Sequence, residues 1–344
     1  MTALERLLQE YDYQLPAERI ALRPAVPRDS AKLLVFDRAT HEIATTTFRQ
    51  LGEWLPKNAV LVMNDTKVIP ARITFTKPTG GKVTLLYLSH TATTITMLAD
   101  RRLEIGWELM GPAKTTLRVF AHEGSAYSLR PLGLVKNFLG ILERYGTTPL
   151  PPYLRHSPLT EAKRREMYQT VFSKKSGSAA APTASLHFTK RLLTRLTQQG
   201  ITMEYVTLHV GLGTFASLTD KHLKTKKLHR EEYEISTAAA ARLNRYKQSG
   251  RPIIAVGTTA ARTLESASRR GRLVAGRSST QLFIQPGYRW KFVDSLITNF
   301  HVPKSSLLML VAALVGRERL FALYRFAIKQ KFGFFSFGDG MLLK

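Results

Sequence analysis

Between residues 30 and 110 this chain is cut into short β-branched or apolar runs: Lys32–Phe36, Val60–Met63, Ile69–Phe75, Lys82–Leu88 and Thr93–Leu98. Turn residues separate them, and Pro78-Thr79-Gly80-Gly81 supplies a hairpin turn. Strands so short and so close together predict a small barrel or sandwich. Beyond residue 176 the pattern changes. Thr189–Gln199, Ala238–Gln248, Ala260–Ser268, Leu307–Leu314 and Leu320–Lys329 carry helical spacing, with strands expected at Met203–Val210 and Ile253–Val256. Residues 130–176 lie between the two patterns. They contain Pro149-Leu150-Pro151-Pro152 and are expected to be extended, because proline fixes φ and disfavours helix in the residue before it.

Composition narrows the function. The 344 residues contain 51 Lys+Arg against 25 Asp+Glu, a formal net charge of +26. Residues 1–150 carry +5 of this and residues 151–344 carry +21, in clusters such as Lys163-Arg164-Arg165, Lys221 to Arg230 and Arg269-Arg270-Gly271-Arg272. A field of that size attracts a polyanion, and RNA is the expected partner. The absence of cysteine excludes disulfides, thiolate nucleophiles, Cys-ligated zinc and Cys-held iron–sulfur clusters. The longest apolar run, Leu307–Val315, is nine residues, short of the roughly 20 a membrane helix needs. No secretory core precedes the folded part, so no membrane role and a cytoplasmic location are expected.

Two familiar motifs fail. Gly211-Leu212-Gly213-Thr214 follows a predicted strand but lacks the third glycine and following helix of a dinucleotide loop. Pro78–Lys82 is not a P-loop, since Val83 stands where Ser or Thr must bind magnesium. His187, His209, His229 and His301 sit in apolar contexts with no metal-ligand spacing, so no metal site is expected. Small or sharp-turning residues recur at Ala179–Thr183, Ala255–Thr259, Asp294–His301 and Ser336–Asp339, where backbone N–H groups can approach a ligand.

Together these segments resemble the S-adenosylmethionine:tRNA ribosyltransferase-isomerases of queuosine biosynthesis. The resemblance begins at Tyr11-Asp12-Tyr13-Gln14-Leu15-Pro16, passes through Asn64-Asp65-Thr66-Lys67-Val68 and Pro149–Tyr153, and is strongest at Ala180–Thr189 and Thr207–Phe215. Ala255–Thr259, Arg262–Ser266, Leu296–Lys304 and Phe334–Asp339 complete it in the family's order. It implies an α/β (α+β) main body, residues 1–65 and 151–344, with a small β-barrel domain inserted at about 66–150. It also implies a reaction in which S-adenosylmethionine is a co-substrate and not a cofactor. Its ribosyl part is transferred to preQ1, an aminomethyl-deazaguanine at the tRNA wobble position, and isomerised. Epoxyqueuosine forms, with adenine and methionine released.

That chemistry needs groups for a sulfonium cation, for proton removal and for adenine departure. His187 and His209 are the expected proton-transfer residues, and Asp294 and Asp339 the catalytic carboxylates that orient groups or bind the cation. Pro182, Thr183, Ala184, Gly211, Gly213, Thr258 and Thr259 are expected to cradle the substrate, and His301 to orient it or bind the cation. Arg262 and Lys304 are expected to hold the methionine carboxylate or a tRNA phosphate. Ser185 stands where the family usually has glycine, Ala59 where it has aspartate, and Ala216 and Gly333 where arginine is common. A non-catalytic RNA-binding relative is the alternative reading. A monomer is expected.

Overall fold

In a computed structural model the described residues are 2–123, 126–133, 137–211 and 218–344. The chain opens with α1 (Ala3–Glu10), β1 (Lys32–Phe36), β2 (Ile43–Thr47), α2 (Leu51–Trp54) and β3 (Val60–Asn64). The short β4 (Thr66–Val68) leads into β5 (Arg72–Thr76), β6 (Lys82–His90), β7 (Ile95–Ala99), β8 (Glu108–Met110), β9 (Thr116–Glu123) and β10 (Ala126–Leu132). Next come α3 (Phe138–Tyr145), α4 (Glu161–Met167), β11 (Lys175–Ser178), α5 (Lys190–Gln198), β12 (Thr202–Leu208), α6 (Asp220–Thr225) and β13 (Lys227–Ile235). The remainder is α7 (Thr237–Gln248), β14 (Ile253–Val256), α8 (Thr258–Ala267), β15 (Ser268–Arg269), β16 (Arg272–Leu273), β17 (Gly276–Leu282), β18 (Ser295–Asn299), α9 (Ser306–Val315), α10 (Arg317–Lys329) and β19 (Gly340–Leu343).

Nine strands form one sheet in the order β17-β13-β12-β3-β14-β18-β19-β1-β2. At its centre β12, β3, β14 and β18 run parallel, so their carboxyl ends share one edge. Both faces of the sheet are covered. Leu34, Phe36, Val62, Ala255 and Leu296 pack with the helices from α7 to α10 on one side. Leu33, Val35, Leu61, Val256 and Ile297 pack with α2, α5 and Phe188 on the other. The alternation follows the pleat, and burial on both faces explains why these strands read as continuous apolar runs.

The remaining long strands close a barrel, β10-β7-β6-β5-β8-β9, between Arg72 and Leu132. Its interior is filled by buried side chains including Ile73, Phe75, Leu85, Met97, Leu117 and Leu129, with Phe138 and Leu142 of α3 packed into the same cluster. It is a packed unit, as small barrels are.

Two expectations need correction. Ile69–Phe75 is not one strand, because Pro70 interrupts the ladder and leaves β4 and β5 on either side. Residues 130–176 are not wholly extended, since α3 and α4 lie within them. The Asn137 side chain accepts from Gly140 N at 2.8 Å, and Thr160 Oγ1 accepts from Lys163 N at 3.4 Å. These caps start helices that the prolines between them only separate.

Behind the sheet's central strands, Glu265 of α8 is 1% exposed. Its carboxylate accepts from Tyr288 Oη at 2.9 Å and from the backbone N–H groups of Lys291, Phe292 and Val293 at 2.9, 3.0 and 2.9 Å. Glu265→Ala strands all four donors and is expected to destabilise the protein by about 3 kcal/mol or more in urea unfolding. A loss under about 1 kcal/mol would contradict the role.

Candidate active site

In open α/β sheets, ligands bind beyond the carboxyl ends of the strands. Here a cleft of about 820 Å³ opens there, lined by residues following β14 and β18 together with the segment before α5. Gly257, Thr258 and Thr259 enter from β14. Thr298 and Asn299 end β18, with Phe300 and His301 beyond it, and Ala180 to Ala184 form a third wall. Gly257 has φ +91, and a β-carbon there would meet Ala184 at 3.8 Å and Thr259 Oγ1 at 3.7 Å. Only glycine turns from strand to helix here without strain.

Among the described residues Arg262 is the one charged side chain lining the cleft. Its Nη1 pairs with the buried Glu231, its Nε donates to Leu282 O at 3.2 Å, and its Nη2 is buried without a partner. Thr259 Oγ1 is also buried and unpartnered. Both atoms stand by the first turn of α8, which has no side-chain cap. A smaller pocket adjoins across Arg262 and Leu307, walled by Leu228, Leu282, Ile284 and Leu310 together with His229, Glu231 and Ser306. Aromatic rings complete the opposite wall. Tyr153 Oη bonds Ser336 Oγ at 2.7 Å, and its ring lies 4.8 Å from that of Phe335. Phe335 holds φ +71, a conformation unfavourable for a bulky residue and characteristic of functional sites.

Seven of the expected substrate residues line this cleft: Pro182, Thr183, Ala184, Thr258, Thr259, Arg262 and His301. Gly211 does not, and its N–H donates to Glu231 Oε1 at 3.2 Å. Gly213 and Ala216 lie outside the described residues. Lys304 also stands off the cleft lining, its Nζ 3.0 Å from Asp12 and its N–H donating to Tyr11 O at 2.9 Å. With Tyr13 Oη donating to His301 O at 2.5 Å, these contacts make the Tyr11–Tyr13 motif a buttress for the His301 loop.

None of the four residues expected to be catalytic lines the cleft. Asp294 lies at the amino end of β18, five residues or about 16 Å from Asn299. Its carboxylate is taken by Lys247 Nζ at 2.6 Å and Ile253 N at 2.8 Å. Asp339 accepts from Lys32 N at 2.6 Å and Gly333 N at 2.7 Å, and burial raises its pKa. The His209 ring turns toward Thr66 Oγ1 at 2.8 Å and packs on Gly177, while its neighbour Val210 lines the cleft. His187 is sealed behind the wall, stacked on Phe48 at 4.1 Å with Nε2 3.3 Å from Asn299 Nδ2. Burial pushes its pKa down to about 3, which makes it a poor proton acceptor at neutral pH. Ser185 is buried and its hydroxyl has no partner.

Sequence reasoning passed over Asn299, Tyr153 and Phe335 as site residues, although all three stand inside motifs it had marked. Polar and aromatic residues at strand ends were the available signal.

Comparison with known proteins agrees with this architecture. Residues 8–343 match the model of a family described as "Queuosine biosynthesis protein". The chain belongs to that family. An S-adenosylmethionine:tRNA ribosyltransferase-isomerase of Gloeobacter violaceus is 46% identical over 98% of this chain and 96% of its own. The same-named protein of Anaeromyxobacter is 44% identical over 98% of both chains. A crystal structure of S-adenosylmethionine tRNA ribosyltransferase from Thermotoga maritima superposes with a TM-score of 0.56 at 30% identity, covering 97% of this chain and all of that one. No helix among the described residues is long and apolar enough to cross a membrane. In this member of the family the wall of the cleft is held partly by two neutral imidazoles, since burial also takes His301 down to about 3.

The two buried histidines set a pH dependence. The unfolded chain takes up a proton on each near pH 6.5, while the folded chain resists until about 3. Stability is therefore fully present above about pH 6.5 and falls as pH drops, by about 1.4 kcal/mol per pH unit for each histidine. Urea unfolding at pH 7 and pH 5 should show a shallower decline for His187→Gln than for wild type. Parallel declines would contradict the assignment.

Proposed function

We propose that the chain is an S-adenosylmethionine:tRNA ribosyltransferase-isomerase, converting preQ1 at the tRNA wobble position to epoxyqueuosine with release of adenine and methionine. Full-length similarity to proteins bearing that name carries the reading. The site supplies chemistry that suits it. The cleft wall contains no carboxylate among the described residues, so the sulfonium would rest against the faces of Tyr153 and Phe335. Arg262 Nη2, Thr259 Oγ1 and the first turn of α8 offer donors for the methionine carboxylate. The Pro182–Ala184 backbone and the Gly257 turn leave room for adenosine.

His301 is the one imidazole lining the cleft among the described residues, and in this reading it serves as a neutral hydrogen-bonding group that orients the substrate, since burial keeps its ring unprotonated. Its Nε2 is paired with Thr298 Oγ1 at 2.9 Å, so Nδ1 is the ring atom left for a ligand. The tRNA would be attracted by exposed basic residues on α6, β13 and the β15–β16 turn, among them Lys224, Lys227, Arg230 and Arg270. Its affinity is then expected to fall steeply with salt.

The reading is tested by single-turnover adenine release with S-adenosylmethionine and a preQ1-bearing anticodon stem-loop, followed by nucleoside mass analysis. Adenine should appear only with the modified RNA, together with the mass of epoxyqueuosine. His301→Ala, which removes a buried hydrogen-bonding group from the cleft wall, should slow it by about tenfold or more. A stem-loop that binds without adenine release contradicts the enzyme and leaves an RNA-binding relative.

A further inference from the structure

We infer that Asn299, its amide locked by His187 and the Asp339 carbonyl, presents a hydrogen-bond acceptor to the cleft and reads an N–H donor on the substrate. The inference rests on the enzyme reading above and names a specificity residue and a positioning residue within it.

A backbone carbonyl fixes which end of the Asn299 amide is the nitrogen. Asp339 O is a backbone carbonyl and only accepts, and it lies 3.3 Å from the Asn299 amide, so that end of the amide is Nδ2. The same nitrogen lies 3.3 Å from His187 Nε2, so that ring atom accepts and the ring proton sits on Nδ1. Both Asn299 N–H groups are thereby spent on the protein side of the wall. The carbonyl end, Oδ1, accepts from Thr183 Oγ1 at 2.8 Å and keeps a second lone pair. Thr183 has given its one proton to Asn299, so its hydroxyl also faces a ligand as an acceptor. Asn299 and Thr183 both line the cleft, and together they form a corner with two acceptors and no donor.

A neutral His187 is required for this arrangement, because an imidazolium would set N–H against N–H. Its burial and its stacking on Phe48 keep it neutral. His187 is thus a positioning residue. It acts through Asn299, which explains why a histidine expected to be catalytic stands behind the wall.

Two substrate groups carry the matching chemistry: the 6-amino group of the adenine and the aminomethyl group of preQ1. The experiment separates them by removing one donor at a time. S-inosylmethionine replaces the 6-amino group by oxygen, and a stem-loop with a 7-cyano group in place of aminomethyl removes the amine. Binding of each is measured by calorimetry to wild type, Asn299→Ala and Thr183→Val. Thr183→Val keeps the shape and guards against misfolding of the more buried variant.

Asn299→Ala is expected to weaken the substrate bearing the donor by about tenfold or more, with a smaller loss for Thr183→Val. The loss should vanish for the analogue lacking that donor. His187→Gln, which can still accept from Nδ2, should stay near wild type. His187→Ala should raise KM for the same substrate and leave the limbs of the kcat–pH profile in place. Equal losses with natural substrates and both analogues would overturn the proposal, as would a vanished pH limb in His187→Gln. Wild type that binds S-adenosylmethionine but releases no adenine with preQ1 RNA would instead count against the enzyme reading. The binding comparison with the adenine analogue would still decide whether Asn299 reads the 6-amino donor.

Discussion

Where a parallel sheet stops at a cleft, its last backbone groups lose their strand partners and must be satisfied without closing the space above them. Buried side-chain amides and carboxylates do this here. Asn64 at the end of β3 donates to Leu208 O at 2.9 Å and accepts from Leu208 N at 3.0 Å and Thr66 N at 3.1 Å, holding the ends of β3 and β12 in register. Asn299 ends β18 and reaches the Asp339 carbonyl, while the Asp339 side chain holds Lys32 N and Gly333 N together. These side chains satisfy the strand ends locally, so the strands can end abruptly and the cleft can begin beyond them.

The same economy shapes the electrostatics. A protein with a net charge of +26 keeps its cleft lined by a single charged side chain among the described residues, and that arginine is tied to Glu231. Basic residues are instead exposed on the β13–β17 side of the sheet, where Arg277 on the edge strand also discourages pairing with another sheet. The basic surface and the mostly neutral cleft are thus kept apart in the fold.

Much of the fold was legible because hydrophobic period tracks burial. Lys32–Phe36 and Ile253–Val256 match their strands at both ends, α7 departs by one residue at its start, and α9 by one residue at each end. The short runs did signal a barrel. What escaped was set by local chemistry that a hydrophobic pattern does not carry: the Asn137 and Thr160 caps, the break at Pro70, and the strand formed by the basic stretch after Lys226. Around the cleft, the backbone-rich motifs come together because glycines and small residues mark close approach. The histidines and aspartates expected to be catalytic lie off the cleft lining for a different reason. A residue type announces chemistry, but only the path of the strand decides which end of the sheet it occupies, and β18 puts Asp294 and Asn299 at opposite edges.

The central claim is that the carboxyl edge of β12, β3, β14 and β18 holds S-adenosylmethionine. A crystal structure of the protein soaked with S-adenosylmethionine tests it most directly. The account predicts adenosine against Pro182–Ala184 and the Gly257 turn, with the amino-acid carboxylate on Arg262. A molecule seated instead on the barrel or along the β17 edge would contradict it.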